Sequence, residues 1–86
     1  MNSRSAVLDA LNTSCGLMER PEFASVILAG GDIALAELDL DSLSTYEVIM
    51  SVEEALGIDI KPEVVFGATT LSDLVARIDL LSAKQS

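Results

Sequence analysis

The sequence predicts an all-α fold, a small four-helix bundle with three main helices and one short one. Three observations lead there. Apolar residues recur at helical spacings of three and four in separate stretches of the chain. These stretches are bounded by residue types that start or stop helices. The one alternating stretch, Ile58-Asp59-Ile60, has no second strand pattern to pair with and reads as an extended connection that plugs two isoleucines into the core. Half of the 86 residues are hydrophobic, enough for one small core and too few for a second. We therefore expect a single domain over residues 1–86, with Ala83 to Ser86 frayed.

The first helix is expected from about Ser5 to Met18, where Leu8, Leu11, Cys15 and Met18 form an apolar stripe and Gly16 weakens the end. Arg20-Pro21 interrupts it, because proline disfavours helix at the residue before it. Glu22 to Ala29 can add a short helical turn or two, with Phe23, Val26 and Ile27 turned inward. Gly30-Gly31-Asp32 is a break. The long loop from there to Asp41 carries Ile33, Leu35, Leu38 and Leu40, apolar enough to be pinned over the core.

The second main helix is expected from Ser44 to Leu56. Val48, Ile49, Val52 and Leu56 make its buried stripe, while Glu47, Glu54 and, nearer the edge, Glu53 lie on the outer side with Met50 among them. Asp41 or Ser44 can cap it, Ser44-x-x-Glu47 fits a capping box, and Gly57 suits the position just past its end. Pro62 opens a short helix that runs to Phe66 and closes at Gly67. Thr70, with Asp73 three residues on, starts the last helix, which buries Leu71, Leu74, Val75, Ile78 and Leu81.

Charge and composition exclude several functions. Fourteen acidic residues against five basic ones give a net charge of -9, which repels nucleic acid and anionic lipid and attracts basic protein surfaces. There is no histidine, so no Ser-His or Cys-His pair exists, and self-contained transfer or hydrolytic chemistry is not expected. The single cysteine, Cys15, reads as a core residue rather than a reactive thiol. No apolar stretch approaches the roughly 20 residues that span a bilayer, and Met1-Asn2-Ser3-Arg4 leads into an amphipathic run rather than a secretory apolar region. The cytoplasm is the expected location.

The most specific stretch is Asp41-Ser42-Leu43-Ser44-Thr45-Tyr46-Glu47-Val48-Ile49-Met50-Ser51-Val52-Glu53-Glu54. It resembles the attachment motif and recognition helix of the acyl carrier protein family, and the resemblance extends from about Leu35 to Leu81, including Gly57-Ile58-Asp59-Ile60 and Thr70-Leu71. The resemblance implies a four-helix bundle of acyl-carrier type. It implies that Ser42 holds 4'-phosphopantetheine, derived from coenzyme A, through a phosphodiester. It further implies that Asp41, Leu43, Tyr46, Glu47, Met50, Glu53 and Glu54 form the surface read by a phosphopantetheinyl transferase and by acyl-loading and acyl-processing enzymes with basic docking surfaces. The protein would then be a non-catalytic, monomeric carrier that shuttles acyl thioesters between enzymes.

Departures from the family pattern narrow that expectation. Asp39 stands where the family commonly has glycine, Ser44 where many members have aspartate, and the segment from Pro21 to Gly31 is longer than in a compact fatty-acid carrier. These differences favour a discrete carrier of a polyketide or other specialised pathway. A peptidyl or aminoacyl carrier ranks second, since Leu38-Asp39-Leu40 lacks the glycine pair common in that group, and an unmodified acidic helical interaction module is the alternative outside the family. Asp39-x-Asp41 does not continue as a calcium loop, because Leu43 and Ser44 fall where an oxygen ligand and glycine are required. Gly30-Gly31 lacks the lysine of a phosphate loop.

Overall fold

The computed structural model describes residues 2–85 and places five α-helices in them: α1, Ser3–Cys15; α2, Pro21–Leu28; α3, Ser42–Leu56; α4, Pro62–Phe66; and α5, Leu71–Gln85. Short 3-10 turns at Leu17–Glu19 and Leu35–Leu38 complete the regular structure. The all-α bundle expected from the sequence is present. Its three long helices, α1, α3 and α5, are joined by a fourth short helix, α4, and by α2, eight residues that make the short helical turn or two expected there.

α1 starts earlier and ends sooner than its apolar spacing indicated. The Asn2 side chain accepts the Ser5 amide at 2.8 Å and caps the helix. Gly16, at φ 66°, closes it in the left-handed conformation that glycine adopts without penalty. The buried stripe is Ala6, Val7, Ala10 and Leu11, so of the predicted line Leu11 is fully buried while Leu8, Cys15 and Met18 lie at the edge of the core instead of its centre. The small residues Ala6 and Ala10 of that stripe bring α1 close to α3, its most extensive partner. The Ser14 hydroxyl donates to the Ser44 carbonyl at 3.1 Å, which joins the end of α1 to the start of α3 and makes the two antiparallel.

Val48, Ile49 and Val52 of α3 and Leu71, Leu74 and Ile78 of α5 face α1 across one continuous core. Val7, Leu11, Leu17, Val48, Val52, Leu71, Leu74 and Ile78 are all but fully buried. Burying a side chain of this size is worth about 1.5–3 kcal/mol. Thr70 and Asp73 form the expected cap of α5, the Thr70 hydroxyl accepting the Asp73 amide at 3.1 Å while the Asp73 carboxylate accepts the Thr69 amide at 3.1 Å.

The long loop is pinned as its apolar residues require: Ile33, Leu35 and Leu38 are buried and Leu40 is half-buried. A polar clamp adds to this. Leu35 and Leu71 donate their amides to the Thr69 and Ile33 carbonyls, and Asp32 Oδ1 accepts both the Ile33 and the Ser72 amides at 2.9 Å. Ile58 and Ile60 are buried in an extended connection, with no strand among the described residues. Gln85 holds that connection from outside, accepting the Asp59 amide at 2.8 Å and donating to the Asp59 carbonyl at 2.9 Å. α5 accordingly continues through Ala83, Lys84 and Gln85, where a frayed tail was expected, and Ser86 lies outside the described residues.

Candidate functional site

Asp41 decides where α3 begins. Its backbone is extended, its carboxylate accepts the Ser44 amide at 2.7 Å, and its carbonyl accepts both the Thr45 amide and the Thr45 hydroxyl. Of the two candidate caps, Asp41 is the one used. The helix therefore starts at Ser42, and Ser44 lies inside its first turn, so the Ser44-Glu47 capping box is not formed. The amide donors of the first turn hold the Asp41 carboxyl below the usual carboxylate range, the Ser44 amide most of all.

This arrangement faces Ser42 outward. Thr45 is buried and tied to Asp41, Ser44 is tied to α1 through Ser14, and Ser42 and Leu43 are left exposed at the surface. The loop reaches this point through Asp39, whose φ of 51° and ψ of 43° put a non-glycine residue in the left-handed region. Aspartate is one of the few side chains that tolerate that region. A groove of about 370 Å³, lined by Leu35, Leu40, Thr45, Val65, Phe66 and Ala68 among others, opens beside the loop, bounded by residues on either side of Ser42.

The outer face of α3 continues from Leu43 through Tyr46, Glu47 and Met50 to Glu54, all exposed. These positions follow the three- and four-residue steps of one helix face. A second groove, of about 260 Å³, separates this face from α1 and is lined by Ala10, Thr13, Ser14, Glu47, Met50 and Glu54. Glu53 departs from the expected surface. It is half-buried and its carboxylate accepts the Ile60 amide at 2.8 Å, so it braces the connection to α4 instead of joining the exposed row.

One surface residue escaped the sequence reading. Phe66, the last residue of α4, is exposed and meets Tyr46 edge-on, with ring centroids 6.4 Å apart and planes at 79°. Nothing local in the sequence marks it, because its exposure depends on how α4 docks on α3. Cys15 is half-buried, its thiol donating to the Leu11 carbonyl at 3.1 Å, and burial pushes its pKa up despite the nearby Arg20. It remains a protonated thiol at neutral pH, as a packing residue would.

The family model of the phosphopantetheine attachment site matches residues 23–78, which run from α2 through the pinned loop, α3 and α4 into α5. The chain belongs to the phosphopantetheine attachment-site family. Comparison with curated proteins and with solved structures gives no significant match. As a member of this family the chain is a carrier of covalently attached 4'-phosphopantetheine, and carriers of this kind interact with phosphopantetheinyl transferases and biosynthetic enzymes and are generally not catalysts themselves. No described helix is long and apolar enough to cross a membrane.

The residues present fit such a group. An exposed serine at a helix start is open to an incoming enzyme, and the neighbouring groove offers apolar walls on one side of it. The Ser44 amide is already satisfied by Asp41, so the first turn gives a phosphate at this point less amide contact than an uncapped helix end would.

Proposed function

We propose that the chain is a discrete acyl carrier protein in which Ser42 bears the 4'-phosphopantetheine. The observation that supports this most is the exposed Ser42 at the first position of α3, set by the Asp41 cap and lying inside the span that matches the family. The attached group supplies a terminal thiol that carries acyl units as thioesters. The chain's own residues hold the serine hydroxyl at the surface, fix the loop before it and present an acidic, partly apolar helix face beside it.

The face of Leu43, Tyr46, Glu47, Met50 and Glu54 serves as the docking surface for the transferase and for acyl-loading and acyl-processing enzymes with basic surfaces. Exposed charge pairs are worth about 0.2–1 kcal/mol each and are screened within about 8 Å at physiological salt, which suits encounters that must be fast and reversible. The whole chain acts as one carrier domain, supported by its continuous core. It works as a cytoplasmic monomer, since like charges of -9 oppose self-association. Asp39 where the family commonly has glycine, Ser44 where many members have aspartate, and the long segment from Pro21 to Gly31 that forms α2 support a polyketide or other specialised pathway over housekeeping fatty-acid synthesis.

The test is in-gel labelling with a fluorescent coenzyme A analogue and a broad-specificity phosphopantetheinyl transferase. The native chain and Ser44→Ala take up label and Ser42→Ala does not. Equal labelling of Ser42→Ala would remove the assignment.

A further inference from the structure

The chain has three aromatic residues, and only Phe23 is spent on the core, where Arg20 lies 4.4 Å over its ring. The other two, Tyr46 and Phe66, are 46% and 58% exposed and touch each other across α3 and α4. A small helical protein gains more from an aromatic ring in its core than at its surface. Among the described residues, four of the six exposed large apolar side chains gather on these two helices, Leu43, Tyr46, Met50 and Phe66. Such a patch marks an interaction site. It is bordered by the exposed carboxylates of Glu47 and Glu54, with Glu63 about one helical turn before Phe66.

We infer that the Tyr46-Phe66 pair is the apolar anchor by which this carrier docks on its enzymes, and that the occupant of the patch is a folded protein offering an apolar cleft rimmed by arginine or lysine. This rests on the carrier reading above and adds α4 to the recognition surface. The charge selects the partner: a net charge of -9 repels nucleic acid and anionic lipid, and two equally acidic patches repel each other. The perpendicular rings supply two apolar walls from two different helices, so the cleft reads the angle between α3 and α4 as well as their side chains. Aromatic residues in such positions carry a disproportionate share of binding energy, while the surrounding charges steer the approach.

The experiment measures loading kinetics with a broad-specificity phosphopantetheinyl transferase as the probe, on the native chain, Tyr46→Ala, Phe66→Ala, the double variant and Leu80→Ala. Leu80, 59% exposed on α5, is the matched control outside the patch. Phe66→Ala and Tyr46→Ala are expected to raise KM about five- to tenfold with kcat unchanged, as for residues in the middle of an interface. The double variant should lose less than the product of the two, because the rings touch. Leu80→Ala should keep the native KM, and all variants the native helicity by circular dichroism. A native KM in Phe66→Ala and Tyr46→Ala, with the native chain loaded normally, overturns the anchor and leaves the carrier reading standing. Failure of the native chain itself to load overturns both. A native dimer that Phe66→Ala dissolves assigns the patch to a second copy and also overturns the proposal.

Discussion

The Asp41 carboxylate accepts the Ser44 amide at 2.7 Å, and this single bond sets the register of α3 so that Ser42 is its first residue. Without it the first turn loses its side-chain partner. Asp41→Ala should therefore lower the melting temperature and slow modification at Ser42, and Asp41→Asn, which keeps an oxygen acceptor, should do less of both. Thermal melts followed by circular dichroism, paired with loading rates, check the order native, Asn, Ala. The reverse order would show that the cap does not position the serine.

Glu47 and Glu53 carry the same charge but do different work. Glu53→Lys removes the acceptor of the Ile60 amide and should cost about 1 kcal/mol of stability. Glu47→Lys leaves that brace in place and should reduce transferase loading by a few-fold, with a weaker effect at high salt. Urea melts separate the two, since only Glu53→Lys should shift the midpoint.

The start of α5 should show in the response to acid. Asp32, Asp41 and Asp73 are held below the ordinary carboxylate range, chiefly by the Ser72, Ser44 and Thr69 amides respectively. A carboxyl group with a lower pKa in the folded than in the unfolded chain stabilises the fold above its unfolded pKa, and that contribution disappears as pH falls through its folded pKa. Asp32→Asn should thus be less stable than native at neutral pH, with a difference that shrinks below about pH 4. Taking the difference cancels the charge repulsion shared by both proteins. A gap that stays constant down to about pH 2 would contradict the assignment.

Asp39 carries a cost that glycine would not. A left-handed non-glycine residue costs about 1–2 kcal/mol, less for aspartate than for most. Asp39→Gly is expected to leave stability unchanged or raise it by up to about 1 kcal/mol, and Asp39→Val to lower it by about 1–2 kcal/mol. Chemical denaturation of both variants checks the sign of each change.

The helices, their stops and the place of Ser42 at a helix start were legible because each rests on local chemistry. Gly57, Pro62 and Thr70 stand where helix ends require them, and the stripe from Val48 to Val52 has one periodicity. What was not legible depends on distant parts of the chain. Gln85 is helical where a frayed tail was expected, and its side chain meets Asp59, 26 residues away. Glu53 left the acidic face because Ile60 offers it an amide, and Phe66 joined the face because α4 packs beside Tyr46. In α1 the small residues Ala6 and Ala10 displaced Leu8 and Cys15 from the centre of the core, because close approach to α3 favoured them over bulk. Spacing alone does not weigh that competition.

The central claim is that Ser42 carries the phosphopantetheine, and the most direct measurement is mass spectrometry of the chain after incubation with coenzyme A and a broad-specificity phosphopantetheinyl transferase, with fragment ions locating the adduct. The account predicts one phosphopantetheine per chain, on Ser42, and none on Ser42→Ala. An adduct on Ser44, Ser51 or any other residue, or an unmodified native chain, contradicts it.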